Sequence, residues 1–367
     1  MLSIIPIEYY TLIYYHIILL IILVAFFHTQ SFTGFTKETF GFNVFFAKLL
    51  FWFTLLYMGL RPISYVFGDM TNYNRAFKIY ANGGFTGLRG DVGFYGMMKL
   101  VSYLQSAKLF FFIVDVLYIL PLYIAVKRWF PKYYFFAFLI LLASFSFWTY
   151  GTNGLRNGIA TSFMLLAFSY ANSNKKIITY ILLALSVSFH SSMMLLVAAY
   201  FLTVFIKNSK IYFLGWFASI FLSLTMGTYW EGFFMKLGFG EENKLQGYFG
   251  EKELYEDSFS STGFRWDFLI YSSIAVIIAY YFIMIKKIND KHYKQLTNIY
   301  LMVNAFWILV IRASFSNRFA YLSWFMMGII IIYPFLQKVY WKNQFSIIGI
   351  ITLLYFSFTY IMNIFIY

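Results

Sequence analysis

Long apolar stretches separated by short polar clusters run the length of this chain. Twelve of them predict membrane helices, at approximately 9–28, 43–66, 107–126, 133–150, 156–171, 177–190, 192–206, 210–228, 266–285, 296–312, 319–336 and 345–364. Most approach the ~20 apolar residues that cross a bilayer as a helix. Alternation with period two is absent, which argues against a transmembrane β-barrel. The segment 177–190 has 14 residues and would be only about 21 Å long as a helix. Such a helix must tilt into a thinned region or meet its neighbour inside the membrane. Two polar intervals are longer than the rest, 67–106 and 229–264. The pattern predicts an all-α polytopic integral membrane protein with 1–367 as a single transmembrane domain. The first apolar run has no basic leader or small-residue cleavage site and is read as a retained span.

Composition agrees: 61% of residues are hydrophobic and 11% charged, with a mean hydropathy of +0.70. A net charge of +14 would suggest nucleic acid in a soluble protein. In a membrane chain it reads as positive loops facing the cytoplasm, and no nucleic-acid partner is expected. The absence of cysteine excludes disulfide and thiolate chemistry. Aromatic residues make up 25% of the chain; interfacial belts account for them, with sugar stacking by a few as the sharper alternative.

Lysine-rich connections at 126–132, 174–176, 207–210, 286–294 and 337–342 all fall on one side of a twelve-span layout. That side is expected to be the cytoplasm, with both termini outside. The alternation closes only if 177–206 is two short helices with His190 at the outer turn. The intervals 67–106 and 229–264 then become outer loops, the second acidic and mobile.

Arginine departs from this rule. Of the eight, at 61, 75, 89, 128, 156, 265, 312 and 318, only Arg128 falls inside, whereas fourteen of the twenty lysines do. The guanidinium is suited to bidentate phosphate contacts, so an outer face rich in arginine suggests a phosphate-bearing ligand. Arg156 follows Thr152-Asn153-Gly154 and Arg318 follows Ser314-Phe315-Ser316-Asn317, both resembling helix caps. A cation at a helix N-terminus is repelled by the dipole unless an anion lies between them. Arg265 heads another span in the same way. The plainer alternative is that these arginines snorkel to headgroups or pair with acidic residues of 229–264.

Several stretches together carry a resemblance: "GLRPISYVFGDMTNYNRAF" (59–77), "GDVGFYGMMKL" (90–100), "NGLRNGIATSFMLLAFSY" (153–170), "LALSVSFHSSMMLLVAAYFL" (183–202) and "SNRFAYLSWFMMGIIIIYPF" (316–335). Their order and spacing over roughly 40–340 resemble the EpsG family, a Wzy-type group of bacterial polysaccharide polymerases. The commoner family form has Arg-Gln where this chain has Arg156-Asn157, and Gly-x-Asp where Gly68 and Asp69 are adjacent. The resemblance implies a glycosyltransferase-C-like fold with short broken helices and an outer-face cavity, in the bacterial cytoplasmic (inner) membrane. It implies transfer of a nascent glycan from undecaprenyl diphosphate to a sugar hydroxyl of an incoming lipid-linked repeat unit, in O-antigen (lipopolysaccharide), capsule or exopolysaccharide synthesis. Donor and acceptor would both be undecaprenyl-diphosphate-linked oligosaccharides, with membrane lipids and a chain-length regulator protein as further candidate partners.

Such chemistry needs charge stabilisation at the leaving diphosphate and a base for the acceptor hydroxyl. Arg156, Arg312 and Arg318 are expected to bind the diphosphate, supported by Arg61. Asp69, Asp91 and His190 are the candidates for the base. Asp115 lies mid-span, where an ionisable group is a functional candidate by default; pairing with an arginine to orient it is the favoured role. Tyr73 and Tyr321 are candidate sugar contacts, and Arg265 a further support. Packing at a helix junction is the plain alternative for His190, and salt bridges with Arg75 and Arg89 for Asp69 and Asp91. No phosphate-binding loop, His-Glu-x-x-His motif or spaced histidine cluster occurs, so neither a cofactor nor a metal is expected. The acidic pairs at 241–242 and 251–253 are read as a solvated surface. Two alternatives stand beside the polymerase: a single-sugar transferase using a polyprenyl-phosphate donor, and a flippase for lipid-linked oligosaccharides. A flippase should carry polar groups through both leaflets, whereas here they gather on one side.

Overall fold

The computed structural model of the chain describes residues 5–32, 34, 36–84, 90–236, 263–313 and 316–366. Among these are fifteen α-helices and no strand. Seven helical stretches are long and apolar enough to cross a membrane: Ile7–Ser31, Thr39–Gly59, Ala107–Trp129, Ser209–Trp230, Trp266–Ile285, Arg318–Gln337 and Gln344–Phe365. The other five of the predicted twelve segments are also helical, but shorter or more polar. The protein is an all-helical polytopic membrane protein.

The chain divides into two compact units, residues 1–191 with 332–367, and residues 192–331. The first unit holds α1 (Tyr10–Ser31), α2 (Lys37–Gly59), α3 (Met70–Ala81), α4 (Val92–Ser102), α5 (Ala107–Trp129), α6 (Tyr134–Leu142), α7 (Phe147–Thr152), α8 (Leu155–Tyr170) and α9 (Lys176–Phe189). The second holds α10 (Met194–Phe205), α11 (Ser209–Lys236), α12 (Trp266–Tyr280) and α13 (Lys291–Leu309); α14 (Ser316–Gln337) runs across the division, and α15 (Gln344–Ile361) returns to the first unit.

Local sequence explains the helix starts. Thr36 and Thr39 cap α2 reciprocally, each hydroxyl accepting from the other's backbone N–H at 3.4 and 2.9 Å. Ser106 caps α5 through the Leu109 N–H at 3.3 Å. In the first unit α5 packs between α2 and α8, and α8 against α9. Every residue of α6, Tyr-Phe-Phe-Ala-Phe-Leu-Ile-Leu-Leu, is buried, as expected of a helix apolar on all sides.

Many aromatics that composition assigned to interfacial belts are core. Tyr14 stacks on Trp148 at 4.2 Å between centroids. Tyr10 and Tyr57 lie 4.5 Å apart, and each phenol donates to the other's carbonyl at 2.5 and 2.8 Å. In the second unit a buried polar network ties four helices. The Trp216 indole donates to Asn304 Oδ1 at 2.8 Å, the Asn304 amide donates to Ser323 and Ser272, and Trp324 donates to Ser272 at 2.6 Å. In a setting without water these pairings satisfy groups that would otherwise be costly to bury.

Three segments differ from the sequence expectation. The interval 67–106 is largely two helices, α3 and α4. The predicted span 133–150 is broken into α6 and α7. Helix α11 runs past the predicted end at 228 to Lys236, with non-helical backbone at Met226. The rest of the acidic interval, 237–262, lies outside the described residues, as does Arg89.

Candidate active site

Helices α8 and α9 form an antiparallel pair, so the start of one and the end of the other come to the same end of the first unit. The start of α4 joins them there. Arg156 is the second residue of α8, His190 follows the last residue of α9, and Asp91 precedes α4. Arg128, at the last turn of α5, lies at the opposite end of α8. Its guanidinium sits 3.4 Å over the Tyr170 ring and donates to Ser169.

Asp91 occupies an N-cap position yet makes no side-chain cap to its own helix. Its carboxylate turns instead to three donors. Arg156 Nη1 donates to Oδ2 at 2.5 Å, the His190 Nδ1 lies 3.1 Å from both oxygens, and the Ser191 N–H donates to Oδ1 at 3.0 Å. The Asp91 side chain is 3% exposed, that of Arg156 18% and that of His190 20%. Burial would raise the Asp91 carboxyl, but the hydrogen bond and charge of His190, the Arg156 charge and the Ser191 N–H outweigh it and hold it below the usual value. An ionised carboxylate only accepts, so His190 Nδ1 carries the hydrogen that points at Asp91. In the neutral ring Nε2 then keeps a lone pair. This arrangement can orient an imidazole as a general base.

Arg156 Nε donates to the Tyr73 hydroxyl at 3.3 Å. Burial holds the Tyr73 phenol above its usual value, against the pull of Arg156, so its own hydrogen stays available. Among the described residues the Arg156 Nη2 donates no hydrogen bond to protein. The guanidinium is therefore fixed on two sides and open on the third.

Asp69 is exposed. Its carboxylate accepts from the Asn72 amide at 3.1 Å, and its backbone N–H donates to Asn153 Oδ1 at 2.8 Å. Asn153 does not cap α8, as its place in Thr-Asn-Gly suggested; it ties the start of α3 to the turn before α8. Gly68 makes this possible, with φ of +63° and Asn153 packed where a Cβ would stand.

Arg61, expected among the diphosphate ligands, is enclosed. It pairs with Asp115, and both side chains are 0% exposed. It also donates to the carbonyls of Met58 at 2.5 Å and Gly151 at 2.8 Å. Asp115 is thus partnered within the helices rather than facing a ligand.

The remaining candidates belong to the second unit. Arg265 holds Asp267 with two bonds, 3.0 and 2.6 Å, and stacks over Phe268 at 3.8 Å. Arg312 follows α13, packs beside Gly227 and lies 5.7 Å over the Phe264 ring, with a buried Nε that has no hydrogen-bond partner among the described residues. Arg318 is exposed in the first turn of α14, and Tyr321 is buried 5.7 Å from Trp324. The acidic pairs at 241–242 and 251–253 fall outside the described residues.

Ser191, Asn153 and Gly151 complete these contacts through backbone groups and one amide. Only their neighbourhood to His190 and Arg156 pointed to them in the sequence. No curated protein and no solved structure matches the chain significantly. The EpsG family model matches residues 44–367, nearly the whole helical assembly and every residue of the Asp91 cluster. The chain therefore belongs to the EpsG family, a Wzy-like polymerase family, and has the glycan-polymerase, glycosyltransferase-like role that membership carries.

Proposed function

We propose that the protein polymerises lipid-linked repeat units, moving a nascent glycan from undecaprenyl diphosphate to a sugar hydroxyl of the incoming unit. The observation that carries this reading is the shared grip of Arg156 and His190 on one buried carboxylate. It sets a phosphate-seeking cation beside an oriented imidazole. The acceptor hydroxyl gives its proton to His190 Nε2 while its oxygen bonds to the anomeric carbon. The bond from that carbon to the diphosphate oxygen breaks, and the lipid diphosphate leaves with the electron pair. Arg156 offsets the growing charge through its open Nη2. Asp91 orients the ring and touches no substrate. His190 is preferred to Asp69 as base because it has an orienting partner on its far side. Arg61 is reassigned from ligand to support, because its guanidinium is enclosed against Asp115.

The reaction is proposed for the outer face of the bacterial cytoplasmic membrane, the face opposite the lysine-rich connections. His190→Gln or Arg156→Ala in the native host should abolish long polysaccharide while single repeat units persist, read from the glycan ladder on a gel. Unchanged chain length in both variants would overturn the reading. No metal is invoked. The purified enzyme should keep its activity in excess EDTA, whereas loss in EDTA with recovery on adding Mn²⁺ would point to a single-sugar transferase.

A further inference from the structure

The enclosed Arg61–Asp115 pair sits where the chain breaks between α7 and α8. The last carbonyls of a helix lose their intrahelical donors and need others. Here the Asn153 and Gly154 N–H groups both turn back to the Thr149 carbonyl, at 2.9 and 2.8 Å. The Thr152 hydroxyl donates to the Trp148 carbonyl at 2.9 Å, and the Tyr118 phenol to the Phe147 carbonyl at 2.9 Å. The Gly151 carbonyl takes Arg61 Nη2 at 2.8 Å. Arg61 therefore serves as the side-chain cap of α7, delivered from the end of α2.

Geometry allows little slack. A Cβ on Gly151 would overlap the Met58 side chain and crowd Tyr118, so α7 rests directly on α2 and α5. Arg61 also holds the Met58 carbonyl at 2.5 Å, which locks its own root to α2. An uncompensated guanidinium there would be prohibitively costly, and Asp115 on α5 supplies the opposite charge. Three helices thus meet at one guanidinium. Five residues beyond Gly151, the chain presents Arg156 to Asp91 and Tyr73.

We propose that Arg61 and Asp115 are positioning residues. Arg61 caps α7, Asp115 holds Arg61 in place, and together they fix the α7–α8 break that aims the Arg156 guanidinium. This rests on the reading of Arg156 as the leaving-group ligand. A cation displaced by an ångström at the reacting centre costs on the order of a hundredfold in rate. Lysine at position 61 keeps the charge opposite Asp115 but lacks the fork that reaches Gly151 and Met58 at once.

The test uses the full-length enzyme in lipid nanodiscs. Arg61→Lys should lower kcat roughly tenfold or more with KM for the lipid-linked substrate little changed. The natural chain has no cysteine, so Asp69→Cys with Asn153→Cys gives a clean reporter of where the turn lies. Cross-linking of that pair by a short thiol reagent should fall when Arg61→Lys is added. A folded Arg61→Lys enzyme with unchanged cross-linking would overturn the proposal, as would an unchanged kcat in an enzyme that Arg156→Ala inactivates. If Arg61→Lys fails to fold, Arg61→Leu with Asp115→Leu removes both charges at once and is held to the same two readouts. Should Arg156→Ala itself leave polymerisation intact, the reading of Arg156 fails, and the cross-link alone decides whether Arg61 positions the turn.

Discussion

At the scale of single residues, Asp91 decides most. Its carboxylate is shared by a guanidinium, an imidazole and a backbone N–H, so its ionised form is strongly favoured. Asp91→Asn removes that charge while keeping the shape. An amide there also presents either a donor or an acceptor to His190, and the tautomer with Nε2 free is no longer enforced. Polymer synthesis should fall by roughly 10²- to 10⁴-fold, measured as the rate of glycan extension by purified enzyme. The depressed carboxyl also has a stability consequence. Its contribution is full above the unfolded-state value near ~4 and is lost as pH falls through the lower folded-state value. The unfolding free energy of wild type should therefore exceed that of Asp91→Asn by about 2 kcal/mol at neutral pH, and the gap should close in acid below about pH 4. A gap that persists unchanged at low pH would mean the carboxylate charge is not what stabilises the cluster.

At the scale of elements, the breaks between helices carry the site. Arg156 lies just past the α7–α8 break, His190 at the end of α9, and Asp91 and Asp69 immediately before α4 and α3. Unbroken membrane helices would bury these groups among their own backbone. Gly68 shows how tightly one break is made: its positive φ and the Asn153 amide leave no room for a side chain. Gly68→Ala should cost about 1–3 kcal/mol in strain and also push Asn153 away from the Asp69 N–H. A melting temperature equal to wild type would contradict that. The helices α3 and α4 were legible in principle. Met70, Tyr73, Phe77 and Tyr80 recur at helical spacing and are buried together. The polarity of 67–106 excludes a membrane span but not a helix, because an amphipathic helix suits a membrane surface.

At the scale of the whole molecule, lysine and arginine divide along the chain. In the first unit, one helix end carries Arg61, Arg156 and the Asp91 cluster, and the other carries Arg128 beside Ser169. This sorting predicts sidedness. Gly84→Cys, between α3 and α4, should react with a membrane-impermeant maleimide on intact cells. Asn174→Cys, between α8 and α9, should react only after the membrane is opened. The reverse pattern would put the Asp91 cluster on the cytoplasmic face and remove the basis for an outer-face polymerase.

Hydrophobic periodicity alone determined that the chain is helical and membrane-embedded, because burying apolar runs in lipid leaves a helix as the cheapest way to satisfy the backbone. Charge sorting singled out Arg156 among the outer arginines, and the chemistry that the family resemblance implies added Asp91 and His190 as candidate bases. Pairing was decided only in three dimensions. Arg61 and Arg156 look alike in sequence, each near a helix end, yet one is sealed against Asp115 and the other shares Asp91 with a partly buried histidine. Which carboxylate meets which arginine depends on helices 54 and 65 residues apart in the chain. No local pattern records that distance, since it is set by how α2, α5, α8 and α9 pack.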